Sequence, residues 1–168
     1  MLFRSLRDVP RVRGRVEVVP TPGKDYTILI DYAHSPDGIV NVLTTVKGFA
    51  KGRTIALFGC GGDRDKTKRP KMGRAAAELA DFVVITTDNP RTEVPAEIIR
   101  DILPGFEGLA TPYQVVEDRV EAIHWAMDHA EKDDVIVLCG KGHETYQEIN
   151  HVKHHMDERE IVADYLNR

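Results

Sequence analysis

Cysteine is scarce in this sequence, and its two cysteines, Cys60 and Cys139, lie far apart within apolar runs. Small secreted domains that depend on disulfides are short and rich in cysteine. We therefore expect two buried, reduced thiols in a cytoplasmic protein rather than a disulfide framework. Long apolar runs are also missing, because no stretch approaches the roughly 20 residues that a membrane-spanning helix requires.

An excess of positive charge is missing as well. The chain has 23 Lys and Arg against 27 Asp and Glu, which gives a net charge of −4. A general binder of nucleic acid or of anionic membranes needs a basic surface, so the charge argues against both kinds of partner. What is present is apolar material for a packed core, at 42% of 168 residues. That length suits one domain, since domains cluster at roughly 100–150 residues.

Two hydrophobic periodicities alternate along the chain and predict alternating strands and helices. The predicted strands are Arg15–Val19, Tyr26–Ile30, Thr54–Phe58, Phe82–Thr86, Tyr113–Val116 and Val135–Cys139, and the later ones are continuous enough to be buried on both faces. The predicted helices are Pro36–Ala50, Arg69–Ala80, Pro95–Leu103, Asp118–Ala130 and Asp157–Leu166. Tyr146–Val152 predicts an edge strand or a hairpin. This alternation indicates a three-layer α/β fold, with a mostly parallel sheet and helices on both faces.

Four of the predicted strands end in loops that are rich in glycine and ionisable residues. In open α/β sheets, ligands bind outside the carboxyl ends of the strands. Each loop by itself has the composition of an ordinary turn. Four such loops at one edge of a sheet predict a binding site, because turns alone do not need so many charged side chains. The loops are Asp31–Asp37, Gly59–Lys66, Asp88–Glu93 and Gly140–Glu144.

The glycine-rich loops do not fit the usual nucleotide-binding motifs. Gly59–Asp63 departs from G-x-G-x-x-G, and Asp65 rather than glycine precedes Lys66-Thr67, so the Walker pattern fails. Glycine here is expected to allow close approach of the backbone to a ligand, or to supply N–H donors to an anion. We therefore expect no phosphate-activating loop in this sequence.

The four loops and several shorter motifs occur in an order that resembles one known family. The additional motifs are Gly14–Glu17, Lys68–Pro70, Thr145–Gln147 and Asp157–Glu160. From about Arg11 to the C-terminus, the sequence resembles the C-terminal domain of the diaminopimelate-adding Mur ligases. One departure is Ser35, which stands where that family commonly has Thr and keeps the hydroxyl. The resemblance implies a Rossmann-like domain over residues 15–168. Residues 1–14 are basic and irregular, with Pro10 and Gly14, which indicates an arm or linker remnant.

The resemblance also implies a reaction for the complete enzyme. Such ligases use ATP and Mg²⁺ to phosphorylate the D-glutamate side-chain carboxyl of UDP-MurNAc-L-Ala-D-Glu. An amino group of meso-diaminopimelate then attacks the acyl phosphate and forms an amide, in cytoplasmic peptidoglycan synthesis of bacteria. A central P-loop ATPase domain and an N-terminal UDP-sugar domain carry much of that chemistry. We expect both to be absent from this chain, and the chain alone to be inactive.

Two sets of site residues follow from the resemblance. The positions that match the meso-diaminopimelate contacts are Arg64, Asp88, Asn89, Pro90, Arg91, Gly140 and Glu144. The positions that match nucleotide contacts are Arg15, Asp31 and His34. No catalytic residue and no metal ligand is expected in this domain.

The matched residues suit an amino acid that has a carboxylate and an ammonium group at each end, as meso-diaminopimelate does. Arginine pairs a carboxylate in a planar fork, which suits Arg64 and Arg91, while Asp88 and Glu144 can accept from an ammonium group. Lysine lacks the distal carboxylate. Binding lysine would leave Arg91 desolvated without its partner, at a cost of about 2–5 kcal/mol.

Other readings of the sequence stay open. The chain could be a stand-alone module that binds diaminopimelate or a nucleotide without catalysis. It could also belong to a sister ligase that adds lysine or extends folate with glutamate, although the Asp88–Arg91 sequence argues against this. His34 alone could be an ordinary surface residue, and the histidines at 151, 154 and 155 are expected to be solvated rather than a metal cluster. The sequence predicts no oligomeric state.

Overall fold

The computed structural model describes residues 12–168, so most of the predicted arm at residues 1–14 lies outside the described residues. The strands are β1 (Glu17–Val19), β2 (Thr27–Asp31), β3 (Thr54–Phe58), β4 (Phe82–Ile85), β5 (Tyr113–Val115), β6 (Val135–Cys139), β7 (Tyr146–Ile149) and β8 (Val152–His155). The helices are α1 (Pro36–Lys47), α2 (Lys68–Leu79), α3 (Pro95–Ile102), α4 (Arg119–Asp128) and α5 (Glu158–Leu166). A 3-10 helix at Leu103–Phe106 follows α3.

Six strands form the central sheet in the order β1-β2-β6-β3-β4-β5. The strands from β2 to β5 pair in parallel, and β1 joins antiparallel to β2. Alternate strand residues face opposite sides of the sheet. Leu29 belongs to the hydrophobic cluster that includes residues of α1, α2 and α3, whereas Ile28 belongs to the cluster that includes residues of α4 and α5. The predicted three-layer, mostly parallel α/β fold is confirmed.

The helix starts follow the capping rules. Ser35 Oγ accepts from the backbone N–H of Gly38 at 3.1 Å, and Pro36 occupies the first turn of α1. Asp118 caps α4 by accepting from the N–H of Glu121 at 2.9 Å. The helices end one to three residues earlier than predicted, except that α5 ends where expected.

Two predictions about strands were wrong in part. All three residues of β5 are exposed, because β5 is the last strand of the sheet and helices do not cover it on both faces. The first strand begins at Glu17 rather than Arg15, because Val16 has a φ of 43°, outside the β region. The predicted hairpin is present, and β7 and β8 form a separate two-stranded sheet.

The connection from β5 to β6 brings the glycine-rich loops together. After β5 at one edge, the chain returns through α4 and places β6 between β2 and β3. The loops that follow β2, β6, β3 and β4 are therefore neighbours at one end of the sheet, as predicted. Cys60 and Cys139 are buried free thiols, also as predicted. In residues 12–168 no helix is long and apolar enough to cross a membrane.

Candidate functional site

A cavity of about 410 Å³ opens between the loops at this end of the sheet. We call it the central cavity. Six of the seven residues predicted to contact diaminopimelate line it: Arg64, Asp88, Asn89, Arg91, Gly140 and Glu144. Pro90 does not line it. Pro90 is buried and borders a different cavity, and its carbonyl accepts from the N–H of Glu93 at 3.0 Å.

Two arginines lie side by side at one part of the central cavity. A Cβ placed on Gly61 would lie 2.9 Å from Arg91 Nη1 and 3.6 Å from Arg64 Cγ, so both side chains pass over this glycine. Arg64 is exposed and makes no ion pair with any residue between 12 and 168. Its guanidinium is free to pair with a carboxylate in the cavity.

Arg91 is held in place by the β7–β8 hairpin. Its Nε donates to Glu148 Oε2 at 3.2 Å and its Nη1 to the carbonyl of Gly62 at 2.8 Å. Its backbone has a φ of 52°, in the left-handed region that costs a non-glycine residue about 1 kcal/mol. Backbone bonds to Glu148 and Asn150 hold it there. Nη2 has no acceptor among the described residues, so it remains available to a ligand.

The acidic part of the cavity is built around Lys141. This side chain is fully buried, with Nζ 3.2 Å from Asp88 Oδ1 and 3.6 Å from Glu144 Oε2. Asp88 Oδ1 accepts no well-aligned hydrogen bond in the described part of the chain, so its contact with Lys141 is chiefly electrostatic. Gly140 has a φ of 109°, and a Cβ there would lie 3.0 Å from Asp88 Oδ2. Glycine therefore leaves room for the carboxylate.

Asn89 connects three segments at the floor of the site. Its Oδ1 accepts from Lys141 Nζ at 2.5 Å and from the N–H of Glu148 at 2.9 Å. Its Nδ2 donates to Glu144 Oε2 at 3.2 Å. Since most of its hydrogen-bonding capacity is used within the chain, Asn89 orients Glu144 and Lys141 and keeps one N–H for a ligand.

Glu93 holds the two loops that carry the arginines. Its carboxylate pairs with both Nη atoms of buried Arg69, at 2.8 and 2.9 Å. It also accepts from the N–H of Asp63 at 2.7 Å and contacts Lys66 Nζ at 3.2 Å. The hydrogen bonds from Arg69 are the main cause that lowers the pKa of Glu93 to about 2. The loops after β3 and β4 are thus fixed to each other before any ligand arrives.

The same two loops touch at a position that only glycine tolerates. A Cβ on Gly62 would lie 1.9 Å from the carbonyl oxygen of Pro90. The N–H of Gly62 donates to the carbonyl of Asn89 at 2.8 Å. This close approach sets the distance between Arg64 and the Asp88–Arg91 segment.

A smaller cavity of about 300 Å³ adjoins the first. We call it the lateral cavity. It is lined by all three predicted nucleotide contacts, Arg15, Asp31 and His34, together with Ser35 at the start of α1. Tyr32 and His34 line both cavities.

The three predicted nucleotide contacts differ in how they are engaged. The buried carboxylate of Asp31 accepts from the N–H groups of Val16 and Ala33, at 2.8 and 2.9 Å, so it shapes the loop. His34 is exposed, and its Nδ1 donates to the carbonyl of Tyr32 at 2.7 Å. Its Nε2 therefore remains available. Arg15 is exposed at the rim.

Several residues of the site were not predicted from the sequence. Lys141 is one of the charged residues in the four predicted site loops, but nothing in the sequence predicts its burial. Arg69 and Glu148 carry no signal in the sequence, because their roles depend on contacts across 24 and 57 residues of chain. Tyr32 belongs to a predicted loop, but nothing in the sequence indicates that it lines two cavities.

No group of three His, Cys, Asp or Glu side chains within residues 12–168 has the arrangement needed to hold a metal ion. His154 and His155 lie exposed on β8, where His155 Nε2 contacts Glu160 Oε2 at 2.5 Å. That contact raises the pKa of His155. In the central cavity, Asp88 and Glu144 are already engaged with Lys141 and Asn89, and Asp65 accepts from Thr67.

Comparison with known proteins gives a consistent picture. Residues 14–142 match the family model described as Mur ligase, glutamate ligase domain. A UDP-N-acetylmuramoyl-L-alanyl-D-glutamate–2,6-diaminopimelate ligase of Caldanaerobacter subterraneus subsp. tengcongensis is 54% identical over 98% of this chain and 34% of its own length. A ligase of the same name from Clostridioides difficile is 50% identical over 94% of this chain and 32% of its own length.

Solved structures agree with these relatives. The structure of a UDP-N-acetylmuramoyl-L-alanyl-D-glutamate–2,6-diaminopimelate ligase matches 95% of this chain and 32% of its own, with a TM-score of 0.85 at 40% identity. Escherichia coli FolC in complex with ADP matches 79% of this chain and 29% of its own, with a TM-score of 0.57 at 19% identity, a likeness of fold alone. The chain spans about a third of the length of the curated relatives it matches.

Proposed function

This chain belongs to the Mur ligase family, and we propose that it is the amino-acid-recognising, C-terminal domain of a ligase that adds meso-diaminopimelate to UDP-MurNAc-L-Ala-D-Glu. The ligase would act in the bacterial cytoplasm, in peptidoglycan synthesis. Relatives that are 50% identical or more have that name, and this chain corresponds to about a third of their length. The activity therefore belongs to the longer enzyme.

The observation that carries the proposal is the division of charge in the central cavity. Arg64 and Arg91 lie together over Gly61, while Asp88 and Glu144 flank buried Lys141. An amino-acid head has a carboxylate and an ammonium, and it needs one partner of each sign. Under this proposal the arginines bind carboxylate, and Asp88 and Glu144 accept from the ammonium.

Discrimination against lysine follows from the restraint on Arg91. Its Nε and Nη1 are engaged by Glu148 and Gly62, so the side chain cannot turn into solvent without losing both bonds. A ligand without a distal carboxylate would bury this guanidinium with one face unpaired. The same side chain therefore favours meso-diaminopimelate and disfavours L-lysine.

The lateral cavity suits a contact to a nucleotide that another domain holds. Arg15 and His34 are exposed at its rim, as a phosphate or ribose contact requires, and Asp31 orients the loop between them. ATP with Mg²⁺, when bound in the complete enzyme, supplies the phosphoryl group that activates the D-glutamate carboxyl. The contribution of this chain is to bind and orient the amino acid and to close against the nucleotide.

The test is reconstitution with the polypeptide that carries the remaining two thirds of the enzyme. The mixture should convert ATP, UDP-MurNAc-L-Ala-D-Glu and meso-diaminopimelate to ADP, inorganic phosphate and the amide product, measured by mass spectrometry. This chain alone should release no ADP. The Arg91→Ala variant should reduce product formation with diaminopimelate. Equal or faster product formation with L-lysine would contradict the proposal that meso-diaminopimelate is the substrate. If no amino acid gave a product, the result would favour a binding module without catalysis.

A further inference from the structure

The complete burial of the Lys141 side chain is unusual for a lysine and requires a physical explanation. Its side chain has no exposed surface, although burying an ammonium ion is costly and lysine is seldom fully buried without partners. It lies between Gly140 and Gly142, at the start of the loop after β6. Burial lowers its pKa, and the nearby carboxylate of Asp88 opposes that change.

The ammonium of Lys141 donates two hydrogen bonds and forms an ion pair with a carboxylate. Nζ contacts Asn89 Oδ1 at 2.5 Å, the carbonyl of Tyr146 at 2.8 Å and Asp88 Oδ1 at 3.2 Å. Glu144 Oε2 lies slightly farther away, at 3.6 Å. One ammonium thereby connects the loop after β4, the loop after β6 and the first residue of the hairpin.

The charged side chains around Lys141 leave a net negative charge at this end of the cavity. Asp88 and Glu144 contribute two negative charges and Lys141 one positive charge, which leaves a net charge of −1 at this end of the cavity. Arg119 also faces Lys141, but its charge is balanced by buried Glu158 at 2.8 Å. The acidic end is therefore short of one positive charge.

We propose that Lys141 is a positioning residue that fixes Asp88, Asn89 and Glu144 and cancels one of the two carboxylate charges, so that this end of the cavity accepts a single ammonium group. The inference deepens the proposed function and rests on it for the identity of the ligand. Without Lys141, Asp88 and Glu144 would lose the cation that lies 3.2 and 3.6 Å from their oxygens. Such a pair takes up a proton at a higher pH than a single carboxyl does, and until it does so the two charges repel each other and are not held toward one ammonium group.

The first test needs no ligand. The side-chain carboxyl carbons of Asp88 and Glu144 are titrated by NMR in the wild-type chain and in Lys141→Met, which keeps the length of the side chain and removes its charge. The midpoint of one carboxyl should rise by about one pH unit or more in the variant, since like charges close together disfavour joint ionisation. The matched control is Lys68→Met, because Lys68 also lines the cavity but is exposed. Unchanged midpoints in Lys141→Met would overturn the proposal.

The second test uses meso-diaminopimelate and calorimetry over a range of pH. The Lys141→Met variant should bind about 30-fold or more weakly than wild type at neutral pH, as when one partner of a buried charge pair is removed. Its affinity should recover as acid adds one proton to the pair, whereas the wild type should not gain affinity in that range. A loss that is independent of pH would show a merely structural role and contradict the proposal.

The two tests separate the possible failures. If the wild type does not bind diaminopimelate while the midpoint of the variant rises, the charge role of Lys141 stands and the proposed ligand is wrong. If the wild type binds and the midpoints do not move, the proposed function stands and the role of Lys141 is refuted. Should Lys141→Met not fold, judged by the dispersion of its amide spectrum, Lys141→Gln serves in both tests with the same expected results.

Discussion

The central and lateral cavities share Tyr32 and His34 in their walls but are built in opposite ways. In the central cavity, Asp88, Arg91 and Glu144 already have partners within the chain. In the lateral cavity, Arg15 and His34 are exposed at the rim. The carboxylate of Asp31 accepts hydrogen bonds from backbone N–H groups and stabilises the loop. Under the proposed function, this difference would give an amino-acid site that is organised within this domain and a nucleotide site of which the domain supplies only one wall.

The largest expected effect is on binding in the central cavity. Arg91→Ala should weaken meso-diaminopimelate binding by about 2–5 kcal/mol, because a carboxylate loses its buried partner. Calorimetry measures the loss. Arg15→Ala removes the same kind of charge from the lateral cavity and should leave this affinity unchanged. An equal loss of diaminopimelate affinity in both variants would contradict the assignment of amino-acid binding to the central cavity alone.

The contact between the two arginine-bearing loops should be the next most sensitive feature. Gly62→Ala places a Cβ against the carbonyl of Pro90, and neither backbone can move away freely. We expect a loss of about 2–3 kcal/mol in the free energy of unfolding, measured with urea. Gly23→Ala is the control, since Gly23 has a φ of 75° with open space around it and should cost about 1 kcal/mol. A smaller loss for Gly62→Ala than for the control would contradict this account of the loops.

Acid should loosen the frame of the central cavity. The pKa of Glu93 is about 2 in the folded chain and 4.5 ordinarily. Because the folded value is lower, the carboxylate stabilises the fold fully above pH 4.5, and that stabilisation is lost as the pH falls toward 2. Allowing for solvent screening, the free energy of unfolding should drop by about 1–2 kcal/mol over this range.

Urea unfolding at several pH values measures this dependence, with Glu93→Gln as the comparison. The variant should be less stable at neutral pH, and its stability should fall less steeply between pH 4.5 and 2 than that of the wild type. An identical pH dependence in the two proteins would show that Glu93 is not the group responsible.

The smallest effect is expected at the lateral cavity. Ser35→Ala removes the hydroxyl that caps α1 and should cost about 1 kcal/mol of unfolding free energy. Ser35→Thr keeps the hydroxyl and should retain most of the stability. Neither change should alter diaminopimelate affinity, and a clear loss of affinity in Ser35→Ala would mean that the cavities are coupled through Tyr32.

The sequence predicts the fold and the place of the site because both depend on local pattern. Buried runs such as Val135–Cys139 mark the central strands, and the loops after them must meet where parallel strands end. The exposure of β5 could not be predicted from its own residues, since it depends on the strand lying at the sheet edge.

The partners inside the site could be predicted less well. The resemblance identifies Asp88, Arg91 and Glu144, but not that Lys141 and Glu148 engage them. These contacts depend on how the hairpin docks on the loop after β4, through bonds such as Gln147 Nε2 to the carbonyl of Asp88 at 2.8 Å. No periodicity in the sequence encodes that docking.

An NMR titration most directly tests whether this domain selects the amino acid. The labelled chain is titrated with meso-diaminopimelate and, separately, with L-lysine, and the Arg91→Ala variant is the control. We expect amide shifts at Arg64, Asp88–Arg91 and Gly140–Glu144 with diaminopimelate, far weaker shifts with lysine, and none in the variant. Equal shifts with both amino acids, or no shifts at millimolar diaminopimelate, would contradict a preorganised diaminopimelate site in this chain.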